Sequence, residues 1–270
     1  MLVVACIKQV PDTTQVKIDP DTGTLIREGV PFILNPFDVH ALEESLRLKD
    51  KYGLRATVIS MGPPNTEVTL RKALARGADQ TVLLSDRAFG GADTLATSMV
   101  LASAIRRLSQ AEEVALVIWG QQTIDGDTAQ VGPGIATRLG YAQLTLVDCI
   151  EYVDLPARKV KVRRKLRGRH EVIEAPLPAL ITVTREINRL RYPTVPMRLM
   201  AEEAAITLWD NQKMGLDEAT IGLKGSATQV RRIFSPERAR GEILGDGANE
   251  PEKAAQLLLG KLIEKDLLYL

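Results

Sequence analysis

Short aliphatic and β-branched runs alternate with longer amphipathic stretches through the first two-thirds of the chain. LVVACI, ATVISM, TVLL and VALVIW are four to six residues long, the length of a buried strand. Between and after them, DVHALEESLRLKDKYG, EVTLRKALARGAD, DTLATSMVLASAIRRL and TAQVGPGIATRLG carry helical patterns. Strand and helix in this order predict parallel strands joined by right-handed crossovers, with helices on both faces of the sheet. The fold class is α/β: a doubly wound, mostly parallel sheet. Gly53, Gly77 and Gly140 stand where a helix C-terminus favours a left-handed residue, and Asp93 stands at an N-cap. Pro20, Asp21 and Gly23 sit between two alternating runs and predict a surface hairpin in VKIDPDTGTLI.

After Gly140 the segments TLVDCIEYVD, KVKVRRKL, HEVIEAP and ALITVT follow without long helices, which suggests antiparallel strands added at the sheet edge. The two prolines of RLRYPTVPMRLM exclude a central strand or a helix interior and point to an exposed loop. From Leu216 to Asn249 glycines recur without periodicity, so this stretch is expected to lie across another surface. Pro251 then opens a helix with Ala255, Leu258, Leu259, Leu262 and Ile263 on one face. Residues 1–200 are therefore expected to form a nucleotide-binding α/β domain. Residues 201–270 are expected to form an extended C-terminal arm ending in a helix that packs on a partner.

Composition narrows the classes of function. The 270 residues are 45% hydrophobic, enough for a substantial core, and 35 Lys and Arg balance 34 Asp and Glu. No global charge excess draws the chain to nucleic acid or an anionic membrane. No apolar run approaches a membrane span and no leader pattern opens the chain, so a cytoplasmic protein without direct membrane insertion is expected. Cys6 and Cys149 are far apart and there are two histidines, His40 and His170, so neither a disulfide framework nor a metal site is indicated. The eight basic residues among the twelve of RKVKVRRKLRGR, Arg158 to Arg169, fit either docking to an acidic partner or a solvated hairpin face with Val160 and Val162 turned inward. Without interleaved aromatics, nucleic acid ranks last as a partner.

The candidate chemistry lies after the strands, because open parallel sheets bind ligands beyond the carboxyl ends of their strands, where strand order reverses. KQVPD follows the first strand, GPPN the second, SDRAFGGAD the third and GQQTIDGDTAQVGPG the fourth. Gly90, Gly91, Gly126 and Gly132 clear side chains where backbone amides would meet a ligand, and two helix N-termini offer partial positive charge to a diphosphate. No GxGxxG or GxxxxGK[ST] is present, which disfavours an ordinary Rossmann dehydrogenase and a P-loop ATPase. Two carboxylates beside a phosphate site need a reason. Asp127 is expected to cap the following helix, leaving the amides of Gly126, Thr128 and Ala129 to the ligand, and Asp125 to hold a ribose or ribityl hydroxyl.

The motifs VACIKQVPDT, NPFDVHALEESLRLKD, SMGPPN, LARGAD, SDRAFGGADTLATS, GQQTIDGDTAQVGP and PLPALITVTREINRLRYPTVP, spread along nearly the full length, resemble the electron-transfer flavoprotein beta subunit. That resemblance implies an α/β domain and an arm embracing an alpha subunit that carries its own FAD. It also implies a cleft holding AMP in ordinary members and a second FAD in electron-bifurcating ones. DGDTAQVGP and FGGADTLATS resemble the bifurcating type. By resemblance, Ala5, Ile7, Lys8, Asn35, Asp38, Ser60, Gly62 and Asn65 would border the adenosine or flavin. Asp93, Thr94, Thr97, Gln122, Asp125, Gly126, Asp127, Thr128, Gln130, Val131 and Gly132 would surround the diphosphate and ribityl chain. Gln121 and Thr123 depart from the basic residue and alanine usual in the family, and Arg167 and Arg169 from its acidic or small residues.

Val195 falls where the family's docking loop presents an aliphatic side chain to a partner dehydrogenase. The resemblance implies an FAD-binding subunit that takes a hydride from NADH and splits the pair between the alpha-subunit flavin and ferredoxin or flavodoxin. A dehydrogenase or a quinone reductase module would be the further acceptor. Bifurcation requires that no fixed cation from Lys8, Arg87 or the Arg163 to Arg169 cluster contact the N1 and C2 edge of the flavin. The alternative is a carrier with structural AMP that serves acyl-CoA-type dehydrogenases. A free-standing nucleotide-binding protein of the stress-protein kind is a third reading, against which the tail and the amphipathic last helix argue.

Overall fold

The computed structural model describes residues 1–12, 17–18, 25–26, 31–231 and 241–268. The chain opens with β1 (Leu2–Cys6), β2 (Gln9–Pro11), β3 (Lys17–Ile18), β4 (Leu25–Ile26) and β5 (Phe32–Leu34). An alternation of helix and strand follows: α1 (Pro36–Tyr52), β6 (Arg55–Met61), α2 (Glu67–Arg76), β7 (Gln80–Leu84), α3 (Thr94–Ala111), β8 (Val114–Gly120) and α4 (Val131–Leu139). Then come β9 (Ala142–Asp154), β10 (Lys159–Leu166), β11 (Arg169–Pro176), β12 (Ala179–Val183), α5 (Val195–Glu203), β13 (Thr207–Trp209), α6 (Asn211–Met214) and α7 (Pro251–Glu264). β3 and β4 pair antiparallel as the expected hairpin, whose turn residues Pro20, Asp21 and Gly23 lie outside the described residues.

Among the described residues the central sheet has nine strands in the order β11-β10-β9-β12-β8-β1-β6-β7-β13. β1 pairs parallel with β6 on one side and β8 on the other, so the winding reverses at β1. Every residue of β1 is buried, as a strand covered by helices on both faces must be. Alternation along the strand sorts its side chains into two cores. Val3 and Ala5 join Leu42 and Leu46 of α1 and Leu70 of α2, whereas Leu2, Val4 and Cys6 join Leu101 and Ile105 of α3 and Ile135 of α4. Gly53, Gly77 and Gly140 close α1, α2 and α4 in the left-handed region, at φ 67°, 115° and 68°. Burial pushes the Cys6 thiol up, and both Cys6 and Cys149 are free.

Two expectations need correction. β9, β10 and β11 are antiparallel neighbours at the edge, but β12 is inserted between β8 and β9 and runs parallel to both. Its unbroken apolar run, buried at every position, is the mark of an internal parallel strand. The loop expected around RLRYPTVPMRLM is in part α5: Pro196 falls in the first turn, where no backbone donor is needed. The Met197 N–H donates to Thr194 Oγ1 at 3.4 Å as its cap. Met1–Arg232 form one compact unit and Ile233–Leu270 another. β13 pairs parallel with β7, and the Arg71 guanidinium donates to the carbonyls of Ala201 at 2.7 Å and Glu202 at 2.6 Å. Within the second unit α7 leaves Leu258 and Ile263 exposed.

Most charges of the basic hairpin are answered locally. Val160 and Val162 are fully buried, and acids on the neighbouring strands pair the cations across the sheet. Lys159 meets Glu174 at 2.8 Å, Lys161 meets Glu151 at 3.1 Å, Arg163 meets Asp148 at 2.9 Å and Arg164 meets Glu171 at 2.9 Å. Both histidines are framework groups. His40 Nδ1 lies 2.8 Å from Asn188 Oδ1 and His170 Nε2 lies 3.0 Å from Asp148 Oδ2.

Candidate functional site

The loops that leave β1 and β8 diverge at the point where the winding reverses, and the first turn of α1 fixes them both. Asp38, fully buried, accepts the N–H of Lys8 at 2.8 Å and that of Gly120 at 3.2 Å. Asn35 donates through Nδ2 to the Gln122 carbonyl at 2.9 Å and accepts the Ile124 N–H at 3.2 Å. Burial pushes the Asp38 carboxyl up to about 7 despite these donors, which pull the other way. A side chain at Gly120 would collide with Asp38 Oδ1 and with Phe37, so only glycine lets β8 end this close to α1.

Beyond this clamp lies a cavity of ≈ 660 Å³, within the roughly 300–1,000 Å³ of small-molecule sites. Ile7 and Lys8 after β1, Met61 at the end of β6, Phe89 and Gly91 to Thr94 at the start of α3, and Trp119 to Thr123 at the end of β8 contribute to its wall. Gly126, Thr128 to Gly132, Thr97 and Leu101 complete much of the rest, with Thr228 and Val230 from the far end of the first unit. Of the residues the family resemblance implied, the cavity brings together Ile7, Lys8, Asp93, Thr94, Thr97, Gln122, Gly126, Thr128, Gln130, Val131 and Gly132. Ala5, Asn35, Asp38, Ser60, Gly62, Asn65, Asp125 and Asp127 are off its wall. Ala5, Asn35, Asp38 and Ser60 are fully buried in the framework behind it, and Asn65 sits in the exposed turn that leads to α2.

The two helix N-termini are not equivalent. Asp93 caps α3, with Oδ1 accepting from Leu95 N–H at 2.9 Å and Ala96 N–H at 3.0 Å. Its Oδ2 accepts from the N–H of Thr228 at 2.9 Å and its hydroxyl at 3.0 Å, and its own N–H donates to Ser226 Oγ at 2.8 Å. Burial raises the Asp93 carboxyl, but these donors outweigh it and leave the group below the ordinary carboxylate range. No side chain caps α4. Its first residues, Val131 and Gly132, face the cavity, so the positive end of its dipole is available to an anion.

That finding corrects the role expected of Asp127. The helix begins at Val131, not at Thr128, because Asp127 and Ala129 take left-handed conformations at φ 53° and 55°. The Asp127 carboxylate instead accepts the side-chain amide of Gln122, and its N–H bonds to the Thr123 carbonyl at 2.9 Å. Asp125 Oδ2 lies 2.6 Å from Lys8 Nζ. Burial raises the Asp125 carboxyl, yet the Lys8 ammonium and the Thr123 hydroxyl prevail and hold it below the usual range.

Thr228 and Val230 were hidden from sequence reasoning because their stretch has no periodicity. Phe89, Leu101 and Trp119 have the same spacing as core residues, and nothing in a single sequence separates an apolar wall from a core. Val195 is the first residue of α5 and 70% exposed, away from the cavity wall. Among the described residues no cluster of His, Cys, Asp and Glu could hold a metal ion, and no helix is long and apolar enough to cross a membrane.

The donor set fits the phosphate and ribose of a nucleotide: an uncapped helix end, a glycine-cleared loop, three threonine hydroxyls at Thr94, Thr97 and Thr128, and an apolar floor. Residues 22–213 match the family described as electron transfer flavoprotein domain. The chain is 46% identical over 262 residues to protein FixA of Azotobacter vinelandii, covering 96% of this chain and 93% of that one. It is 47% identical to the electron transfer flavoprotein subunit beta of Clostridium acetobutylicum, covering 98% and 99%. It is 48% identical to the caffeyl-CoA reductase-Etf complex subunit CarD of Acetobacterium woodii, covering 99% and 100%.

Proposed function

The chain belongs to the electron transfer flavoprotein family as a beta subunit, and from that premise we propose that its cavity binds FAD and that the subunit bifurcates the electrons of NADH. One electron goes to the FAD of a partner alpha subunit, then to a dehydrogenase or quinone reductase module, and the other to ferredoxin or flavodoxin. The observation that carries the reading is the uncapped N-terminus of α4 in the wall of a ≈ 660 Å³ cavity at the reversal of the sheet. A structural AMP would ask less of so long a cavity, which runs from Lys8 and Met61 past two helix ends to Val230. The name of CarD, a subunit of a caffeyl-CoA reductase-Etf complex, supports an acyl-CoA-type reductase as one class of partner.

Bound FAD supplies hydride acceptance and one-electron release; the protein's part is position and electrostatics. The amides of Val131 and Gly132 and the hydroxyl of Thr128 would hold the diphosphate. Thr94 and Thr97 would orient it from α3. Phe89, Leu101 and Trp119 would exclude water from the apolar part. Asp38 and Asn35 hold the two strand-end loops to this shape without touching the ligand.

Co-expression with the alpha subunit, followed by extraction and counting of nucleotides, tests the proposal. Two FAD per heterodimer together with NADH-driven ferredoxin reduction are expected. One FAD and one AMP per heterodimer would replace this reading with that of a non-bifurcating carrier.

A further inference from the structure

Among the described residues the cavity wall carries a single ammonium, and the protein neutralises it internally. Lys8 is the one basic residue among the described residues that line the cavity, and its Nζ lies 2.6 Å from Asp125 Oδ2, with the two side chains 39% and 26% exposed. The acidic residue on the wall, Asp93, has both oxygens engaged by backbone amides and Thr228. Asp127, two residues past Asp125, is bonded to Gln122. Among the described residues, the Gly126 to Gly132 loop and the start of α4 thus offer dipoles and hydroxyls with carboxylates close by, and the Lys8 ammonium on the same wall is already paired. That is a poor environment for concentrated negative charge and a tolerable one for diffuse charge.

We propose that Asp125 is a specificity-determining residue: by occupying Lys8, it makes the cavity accept a diphosphate esterified at both ends and reject adenine nucleotides that end in a free phosphate. The proposal rests on the reading of the cavity as a dinucleotide site. The internal diphosphate of a dinucleotide carries one charge per phosphorus, each shared over two free oxygens. The terminal phosphate of AMP or ADP gathers close to two charges on one phosphorus. A free Lys8 ammonium would reward the second arrangement more than the first. The Asp125 carboxylate cancels that reward and adds a repulsion that grows with the charge gathered at the terminus. This also gives the paired aspartates of DGD separate duties: Asp125 answers Lys8, and Asp127 shapes the loop through Gln122.

The test is a set of binding measurements on the full-length chain purified with its alpha subunit and freed of nucleotide. Dissociation constants for AMP, ADP and FAD are compared in the wild type, Asp125→Asn, Lys8→Met and the double variant. Asp125→Asn is expected to tighten AMP and ADP by about tenfold while FAD moves by less than about threefold. Lys8→Met alone is expected to shift the preference the other way, and added to Asp125→Asn it should abolish the gain. The single Lys8→Met variant keeps the proposal open to refutation should Asp125→Asn not fold. A preference for FAD over AMP that is the same in all four proteins, or a gain that survives Lys8→Met, overturns the role of Asp125. Wild-type protein that binds AMP and excludes FAD overturns the dinucleotide reading itself.

Discussion

Asp38 and Gly120 hold each other at the end of the central strands: the Gly120 N–H donates to Asp38 Oδ1 at 3.2 Å, in space that a side chain at position 120 would fill. The other oxygen takes the Lys8 N–H at 2.8 Å, so one buried carboxylate fixes both loops of the cavity. Its folded-state value is raised to about 7, chiefly by burial. A raised value means that the group's contribution to stability is fully present below the unfolded value near 4 and is lost as pH rises through about 7. Urea unfolding of wild type and Asp38→Asn from pH 5 to 8 reads this directly. The wild type should lose stability relative to the variant as pH rises, by at most about 3 kcal/mol over this window. Parallel pH profiles would exclude the linkage.

Gly120→Ala forces a methyl against Asp38 and Phe37. Overpacking at such a site costs about 1–3 kcal/mol. Because the displaced groups set the Lys8 and Gln122 loops, nucleotide affinity should fall together with the urea midpoint. Stability lost with nucleotide affinity unchanged would show that Asp38 and Asn35 do not shape the cavity.

Asp93 does more than end a helix. A lost N-cap costs about 1 kcal/mol. Asp93→Ala also releases the N–H and hydroxyl of Thr228, so its cost should exceed that figure, and hydrogen exchange should accelerate at residues 226–230. Thr228→Val keeps the shape and removes one hydrogen bond, at about 1 kcal/mol. It should weaken nucleotide binding and lower the unfolding midpoint by no more than that one bond accounts for. Unchanged exchange in Asp93→Ala would separate the segment from the cavity.

Much of the architecture was legible in the sequence because local and global signals agree there. The four strand-helix alternations, the glycine C-caps and the Asp93 cap were all found where the pattern set them. The pattern failed where one local signal has two structural solutions. ALITV reads as an edge strand by its position in the sequence and as an internal one by its unbroken apolar run, and the second holds. The prolines near Val195 exclude a helix interior but suit a first turn. Asp127 precedes a helix by composition, yet two left-handed residues delay the start to Val131. Contacts such as Asp93 with Thr228 join positions far apart in the chain, and no local period records them.

Val195 opens α5 with its side chain 70% exposed, followed by Leu199 and Met200 at 65% and 71%. Val195→Asp should slow electron delivery to a partner dehydrogenase by roughly tenfold or more, the effect of losing a small apolar anchor in a transient contact. Flavin content and thermal unfolding should stay at wild-type values. Equal delivery rates would remove α5 from the docking surface.

The bonds from Asp93 to Ser226 and Thr228 bear on the order of events during synthesis. Strands β1, β6, β7 and β8 can assemble while the ribosome is still reading the second half of the message, but the last wall of the cavity cannot. A nascent chain has no finished cavity until Thr228 and Val230 have emerged, so filling of that cavity has to wait for them.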